Sequence, residues 1–272
     1  MMEFRTIVDV SESGFRIGPC EEILFVGSCF AAEIGRRFQE EKFRATVNPF
    51  GVMYNPASIL HTVEKLFTNH SSLFTTAFLT LGTNHVYRLK ETGEIVDNCQ
   101  KRPQSLFSEE ELSVGQCADY LTQAITLLRQ MNPEMHIVLT VSPIRYRKYG
   151  YHGSQLSKAT LLLAIEKVTK GSGTFVSYFP AYEIVNDELR DYRFYADDML
   201  HPSSQAVEYI WQRLSEVYLS DASKDFLAEW QPIKAALCHR PFNPDSQEYQ
   251  AFMDKTMLKV KALSEKYPNF AL

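Results

Sequence analysis

The sequence predicts an α/β protein with three layers, α/β/α, around a mostly parallel central sheet, and a helical extension at the carboxyl terminus. Three observations predict it. Strand-like apolar runs alternate with helical patterns through the first 220 residues, as parallel strands joined by crossover helices do. The run Ile23-Leu24-Phe25-Val26 reaches Gly27-Ser28, and Phe30, Ile34 and Phe38 then recur at helical spacing, so a strand passes through a tight turn into a helix. Beyond Ser220 the pattern holds helices without strands. The domain reading is an α/β domain over 1–220 and an extension over 221–272 that packs back on it.

Taken in order, strands are expected near 22–27, 43–47, 77–82, 136–142 and 174–179. Helices are expected near 30–41, 56–67, 112–131, 155–170 and 203–219. The third helix has Ala118, Leu121, Ile125 and Leu128 on one face and stops ahead of Pro133. Tyr87 to Cys99, with Glu91-Thr92-Gly93-Glu94 at its centre, reads as a β-hairpin decorating the sheet. The extension holds Asp225–Trp230, a turn over Ile233–Leu237 and a long helix near 246–266.

Composition narrows the function. Forty-five per cent hydrophobic residues and 12 glycines in 272 residues suit a folded globule, and no repeat or low-complexity tract interrupts it. A net charge of −5 and a pI near 5.8 argue against nucleic acid as a partner. No run of apolar residues is long enough to cross a membrane, and the start Met-Met-Glu-Phe-Arg shows no secretory leader. The five cysteines are scattered and odd in number, with no paired Cys or His spacing that suggests a metal site. Reduced thiols in a cytoplasmic protein, with no metal and no cofactor, are the expectation.

Two segments carry chemistry. A serine at a strand-to-helix turn lies at the carboxyl end of a sheet, where the new helix offers unpaired N–H groups to an oxyanion. Such a hydroxyl needs a histidine to take its proton, and the histidine needs a carboxylate to hold its tautomer. Asp198-Met199-Leu200-His201-Pro202-Ser203 supplies both from one short segment. Pro202 holds His201 extended, and Ser203 or Ser204 can cap the helix that follows.

Gly27-Ser28-Cys29-Phe30-Ala31 resembles the signature of the GSCFA family, which is similar to the SGNH (GDSL-like) hydrolases. The resemblance extends to Asn48-Pro49-Phe50-Gly51, Tyr54-Asn55-Pro56, Tyr87–Gly93, Thr140–Pro143 and the run from Tyr178 through Pro202. It implies an SGNH-like fold with Ser28 as nucleophile and Asp198 and His201 as its partners. It also implies an oxyanion hole from the Ser28 N–H, Gly51 after the second strand and Asn84 in Gly82-Thr83-Asn84 after the third. Gly27 stands where the aspartate of the wider Gly-Asp-Ser pattern would be.

The remaining candidates are weaker. Asn48 and Asn55 flank one loop and are expected to bind it together, with Asn48 also a candidate for substrate. His85 beside Asn84, Ser142 at the end of the fourth strand and Arg145 after it are further substrate-binding candidates. Cys29 is expected to turn into the core, because a turn of this kind aims one side chain at the site. Ser157-Lys158 imitates a Ser-Lys dyad, but Lys158 at a helix start reads as a surface charge. His61, His70, His136, His152 and His239 have no acidic partner at fixed spacing. The functional reading is an esterase or deacylase acting on a small-molecule or carbohydrate acyl ester. The alternatives are an acyltransferase of cell-surface polysaccharide assembly and a binding module that keeps the fold without the chemistry.

Overall fold

A computed structural model of the chain describes residues 5–69, 74–97, 99, 102–267 and 269–270. His70 and the first four residues of the chain lie outside the described residues. Strand β1 (Glu22–Gly27) leads through one residue into helix α1 (Cys29–Glu40), and β2 (Arg44–Val47) returns beside β1. Helix α2 (Pro56–Asn69) then crosses to β3 (Thr76–Leu81), which pairs with the other side of β1. After a decorating segment come α3 (Val114–Met131), β7 (His136–Val141), α4 (Gly150–Gly171) and β8 (Val176–Tyr178). The sheet runs in the order β2-β1-β3-β7-β8, with every pairing parallel.

That order reverses direction between β1 and β3, because α1 crosses to one side of β1 and α2 to the other. In an open α/β sheet this switch point leaves a crevice beyond the strand ends, where ligands collect. The two faces are covered separately. Leu24, Val26, Ala77, Leu79, Ile137 and Leu139 meet α2, α3 and α4 on one face, while Ile23, Phe25, Phe78 and Val138 meet α1 and α6 on the other. This is period-2 alternation with apolar residues at both parities, as a sheet buried on both sides requires. Phe25 and Phe78 stack at 4.8 Å, and Phe38 meets Trp211 of α6 edge-on at 4.7 Å.

Strand β4 (His85–Leu89) pairs antiparallel with β5 (Ile95–Val96), which is the hairpin the sequence suggests. A third strand, β6 (Phe107–Glu111), joins β4 on its other edge and was not anticipated. Its Ser-Glu-Glu-Glu run reads as a charged loop, and its partners lie far along the chain: Arg88 meets Glu110 at 2.9 Å and Lys148 meets Glu109 at 2.8 Å. A short α5 (Ala181–Glu183) continues into a π-helical stretch (Ile184–Leu189), and α6 (Ser204–Tyr218) follows.

The carboxyl-terminal segments form α7 (Asp221–Leu237), one helix with Pro232 inside it, and α8 (Gln247–Lys266). Phe226, Trp230, Ile233, Val260, Leu263 and Phe270 join the core on the α1/α6 face. The buried Glu41 carboxylate at the end of α1 takes bonds from Arg37, Gln231 and Lys234. Truncating Lys234 would leave that carboxylate short of a cation in a dry site, which is costlier than losing a surface pair.

The β1–α1 turn admits only glycine. Gly27 has φ +148, and a Cβ there would lie 2.1 Å from the Thr80 carbonyl oxygen of β3. Gly27→Ala should therefore lower unfolding stability by more than about 2 kcal/mol, read as the urea midpoint at unchanged slope. A midpoint equal to wild type would show that β1 and β3 separate easily at this point.

Candidate active site

The turn after β1 places Ser28 and Cys29 at the switch point. Ser28 is the N-cap of α1, with φ −68 and ψ 178, and its Oγ accepts the Phe30 N–H at 3.2 Å. Its own N–H is donated to the Thr80 carbonyl at 3.2 Å, and the residue has no solvent exposure. The Ser28 hydroxyl thus caps the helix, and its N–H is held by β3. Cys29 is half-buried and packs against the α1/α6 core, and its Sγ stands 3.8 Å from the Tyr54 hydroxyl.

Asp198 and His201 come together as the spacing predicts. Asp198 Oδ2 meets His201 Nδ1 at 2.5 Å, while Oδ1 accepts the N–H groups of Leu200 at 2.8 Å and His201 at 2.9 Å. These bonds, the two backbone ones foremost, pull the Asp198 carboxyl down to about 2, so it is ionised at any working pH. Met199 takes a left-handed φ of +60 to close the turn. Beyond it, Ala196 donates to the His201 carbonyl at 2.7 Å, and Ser203 caps α6 through the Ala206 N–H. The imidazole is thus oriented through Nδ1, which leaves Nε2 as the nitrogen for proton transfer. Its side chain is 43% exposed, so water reaches it. Ser28 makes no hydrogen bond to it.

The other predicted residues divide. Gly51 has φ +98 and donates its N–H to the Asn48 carbonyl at 2.9 Å, so it closes a turn instead of facing an oxyanion. Asn84 is buried, and its amide donates to the Leu112 carbonyl at 2.8 Å, tying β4 to the start of α3. Asn48 accepts the Gly27 N–H at 2.8 Å and Asn55 the Ser58 N–H at 2.9 Å, so both organise the loop. Ser142 is fully buried, and its Oγ accepts the Ile144 N–H. Gly51, Asn84, Asn48 and Ser142 thus each make a bond that shapes the backbone around the turn, while Asn48 Nδ2 and Asn84 Oδ1 are buried without a hydrogen-bond partner among the described residues.

His85 and Arg145 line cavities instead. His85 stacks on Tyr149 at 3.6 Å, and burial holds its imidazole below the ordinary histidine range. Tyr54, Tyr87, Tyr146 and Tyr149 join His85 and Asn55 around a cavity of about 400 Å³. Arg145 borders a second cavity, of about 250 Å³, with Tyr192 and Tyr195. It also holds the Asp198–His201 turn through its N–H to the Leu200 carbonyl and its Nη1 to the Met199 carbonyl, each at 3.1 Å.

Lys158 is a residue that sequence reasoning misjudged. Helix α4 starts earlier than expected, at Gly150, so Lys158 falls on its buried face. Its Nζ donates to the carbonyls of Gly82 and Ser142, 2.7 Å each, and lies 5.1 Å from the Tyr146 ring centre. It bridges the carboxyl ends of β3 and β7. Ser157 makes no dyad with it; its Oγ accepts the Asn84 N–H at 3.0 Å and bonds the Thr83 hydroxyl. Among the described residues no group of His, Cys, Asp and Glu is placed to hold a metal, and no helix is long and apolar enough to cross a membrane.

Comparison with known proteins gives a family. The model of the GSCFA family matches residues 22–78 and 70–214, and that of the GSCFA domain protein, C-terminal domain, matches residues 230–272. No match is found among curated proteins. Similar solved structures include a protein described as a GDSL-like lipase from Parabacteroides merdae ATCC 43184, at 11% identity and TM-score 0.48, covering 75% of this chain and 99% of that one. Another is a mutant of Axe2, an acetyl-xylooligosaccharide esterase from Geobacillus Stearmophilus, at 12% identity and TM-score 0.47, covering 76% of this chain and 98% of that one.

Two outcomes follow from these contacts. Ser28→Ala removes the α1 cap and should lower stability by about 1 kcal/mol in urea unfolding, the ordinary cost of a lost N-cap. Burial pulls the Lys158 amine down to about 7 in the folded state. Between that value and the ordinary lysine range the unfolded chain binds a proton that the folded chain does not, so stability rises with pH across this window. The stability of wild type minus that of Lys158→Met should accordingly increase from about pH 7 to about pH 10. A difference that stays flat would mean Lys158 is charged when folded.

Proposed function

The chain belongs to the GSCFA family, and from that premise we propose that it is an SGNH-type acyl-ester hydrolase, an esterase or deacylase for a small or carbohydrate acyl ester. One observation carries the reading. An ionised carboxylate, fixed by two backbone N–H groups, holds His201 through Nδ1 at the carboxyl edge of a parallel sheet, at the edge where β1 turns into α1.

In this reading His201 Nε2 takes the proton of a nucleophile from the Ser28-Cys29 turn, which attacks the ester carbonyl. Developing charge on the carbonyl oxygen is met by the Cys29 N–H at the start of α1, such a donor being worth about 3 kcal/mol in comparable sites. His201 then protonates the leaving alcohol, and a water that it deprotonates resolves the acyl-enzyme. Asp198 stays ionised throughout and stabilises the imidazolium.

The tyrosine-lined cavity beside the turn supports a carbohydrate as the acyl carrier. Flat aromatic faces with a few polar tips suit a sugar ring, whose faces are C–H and whose rim is hydroxyl. The exposure of His201 supports hydrolysis over transfer, because water has open access to the base.

Hydrolysis of p-nitrophenyl acetate and of acetylated xylooligosaccharides tests the proposal. His201→Ala and Asp198→Asn should each reduce kcat/KM by more than about a hundredfold, through loss of the base and of its orientation. Asp197→Asn should have little effect, since Asp197 makes none of these bonds. A severe Asp197→Asn beside a mild Asp198→Asn would reverse the assignment, and a wild type inert toward every ester would leave the binding-module reading.

A further inference from the structure

We propose that the nucleophile of this site is the thiol of Cys29, with His201 and Asp198 completing a cysteine–histidine–aspartate relay, and that Ser28 is the cap that presents it. The inference rests on the hydrolase reading and names the residue that reading left between two neighbours.

The turn offers one side chain to the cleft and one to the helix. Ser28 is spent: its Oγ holds the Phe30 N–H, its N–H holds the Thr80 carbonyl, and no part of it reaches solvent. Cys29 is the first residue of α1. Side chains in a helix lean toward its amino end, so at the first position the lean carries Cβ and Sγ past the end of the sheet. Cys20 and Cys117 behave differently. Both are buried, and burial pushes their thiols up to about 11 and about 12, as befits inert core residues.

The surroundings of Cys29 supply what a nucleophile needs. The first turn of α1 contains no acidic residue, so the positive end of the helix dipole faces the sulfur uncompensated. Among the described residues the N–H of Cys29 has no hydrogen-bond partner, which leaves a backbone donor on the residue that carries the sulfur. Burial and the adjoining Cys29 push the Tyr54 phenol up to about 12, so it remains a hydroxyl able to donate to the sulfur.

A continuous set of contacts joins this thiol to the relay. Tyr54, 3.8 Å from Sγ, meets Tyr146 edge-on at 6.2 Å. The preceding residue, Arg145, grips the carbonyls of Met199 and Leu200, the two residues before His201. Cysteine and histidine therefore lie at the same carboxyl edge of the sheet, one after β1 and the other held by the residue that precedes Tyr146, beyond β7.

The chemistry balances without a further reagent. The thiol proton passes to His201 Nε2 as sulfur bonds to the ester carbonyl carbon. The carbon–oxygen bond to the alcohol breaks, and the same proton leaves on that oxygen. Water then adds to the thioester carbon, giving its proton to His201 and, through it, to the departing sulfur.

The test uses the full-length protein with p-nitrophenyl acetate. Turnover by wild type reads the hydrolase function, and the position of the acetyl group in acid-quenched enzyme, found by mass spectrometry, reads the nucleophile. The expected result is an acetyl group on Cys29 that neutral hydroxylamine removes and that Cys29→Ala lacks, with kcat/KM down at least about a thousandfold in Cys29→Ala. Cys29→Ser, which keeps the shape, covers the case in which the alanine variant fails to fold, and is expected to lose the hydroxylamine-sensitive adduct. An acetyl group on Ser28, or full turnover in folded Cys29→Ala, overturns the inference while sparing the hydrolase reading. A wild type with neither adduct nor turnover overturns both.

Discussion

The contact on which the rest of the site depends is the close approach of Gly27 to the Thr80 carbonyl. With no Cβ in the way, the backbone of β1 turns away at the sheet edge and is caught by the Ser28 N–H on the same carbonyl. The helix that begins one residue later thus starts directly over the gap between β1 and β3, where the strand order reverses. A side chain at residue 27 would have to push β3 outward and so displace the start of α1. Asn48 locks the arrangement from the β2 side through the Gly27 N–H.

The second constraint is a buried amine. Strands β3 and β7 pair in register along their length, but beyond Leu81 and Val141 no ladder remains to fix how far apart the chains travel. Lys158 fixes it by donating to the first carbonyl after each strand. The Tyr146 hydroxyl occupies the place where a Cβ of residue 82 would lie, 2.4 Å away, so the aromatic cavity is built against this same bridge. A dry lysine is expensive to hold charged, and its lowered pKa expresses that cost. Tyr146 and Tyr149 of the cavity, and Arg145 that holds the Asp198–His201 turn, lie on one short segment, Ser142 to Tyr149, whose first carbonyl the lysine anchors.

Much of this was legible in the chain. The alternation of apolar runs and helical patterns gave the parallel sheet and its main helices close to their observed bounds, because burial on two faces leaves a periodic trace in residue choice. Asp198 and His201 were legible because their partnership is local: three residues of turn bring the two side chains together whatever the rest of the protein does. Strand β6 was not legible, since its glutamates are matched by Arg88 and Lys148 from elsewhere.

What the sequence determined by itself was the class of fold, the strand–turn–helix at Gly27 and the histidine–aspartate pair, all set by short-range patterning. What only the tertiary structure decided was that Ser28 is enclosed as the cap of α1 while Cys29 stays half-buried, that Lys158 is buried, and that Gly51, Asn84 and Ser142 each bond a backbone group. The reason is common to all of these. The direction of a side chain at an element boundary depends on which carbonyls and N–H groups distant segments bring within hydrogen-bond reach, here Thr80, Leu112, Gly82 and Ser142, and that pairing has no counterpart in the order of neighbouring residues.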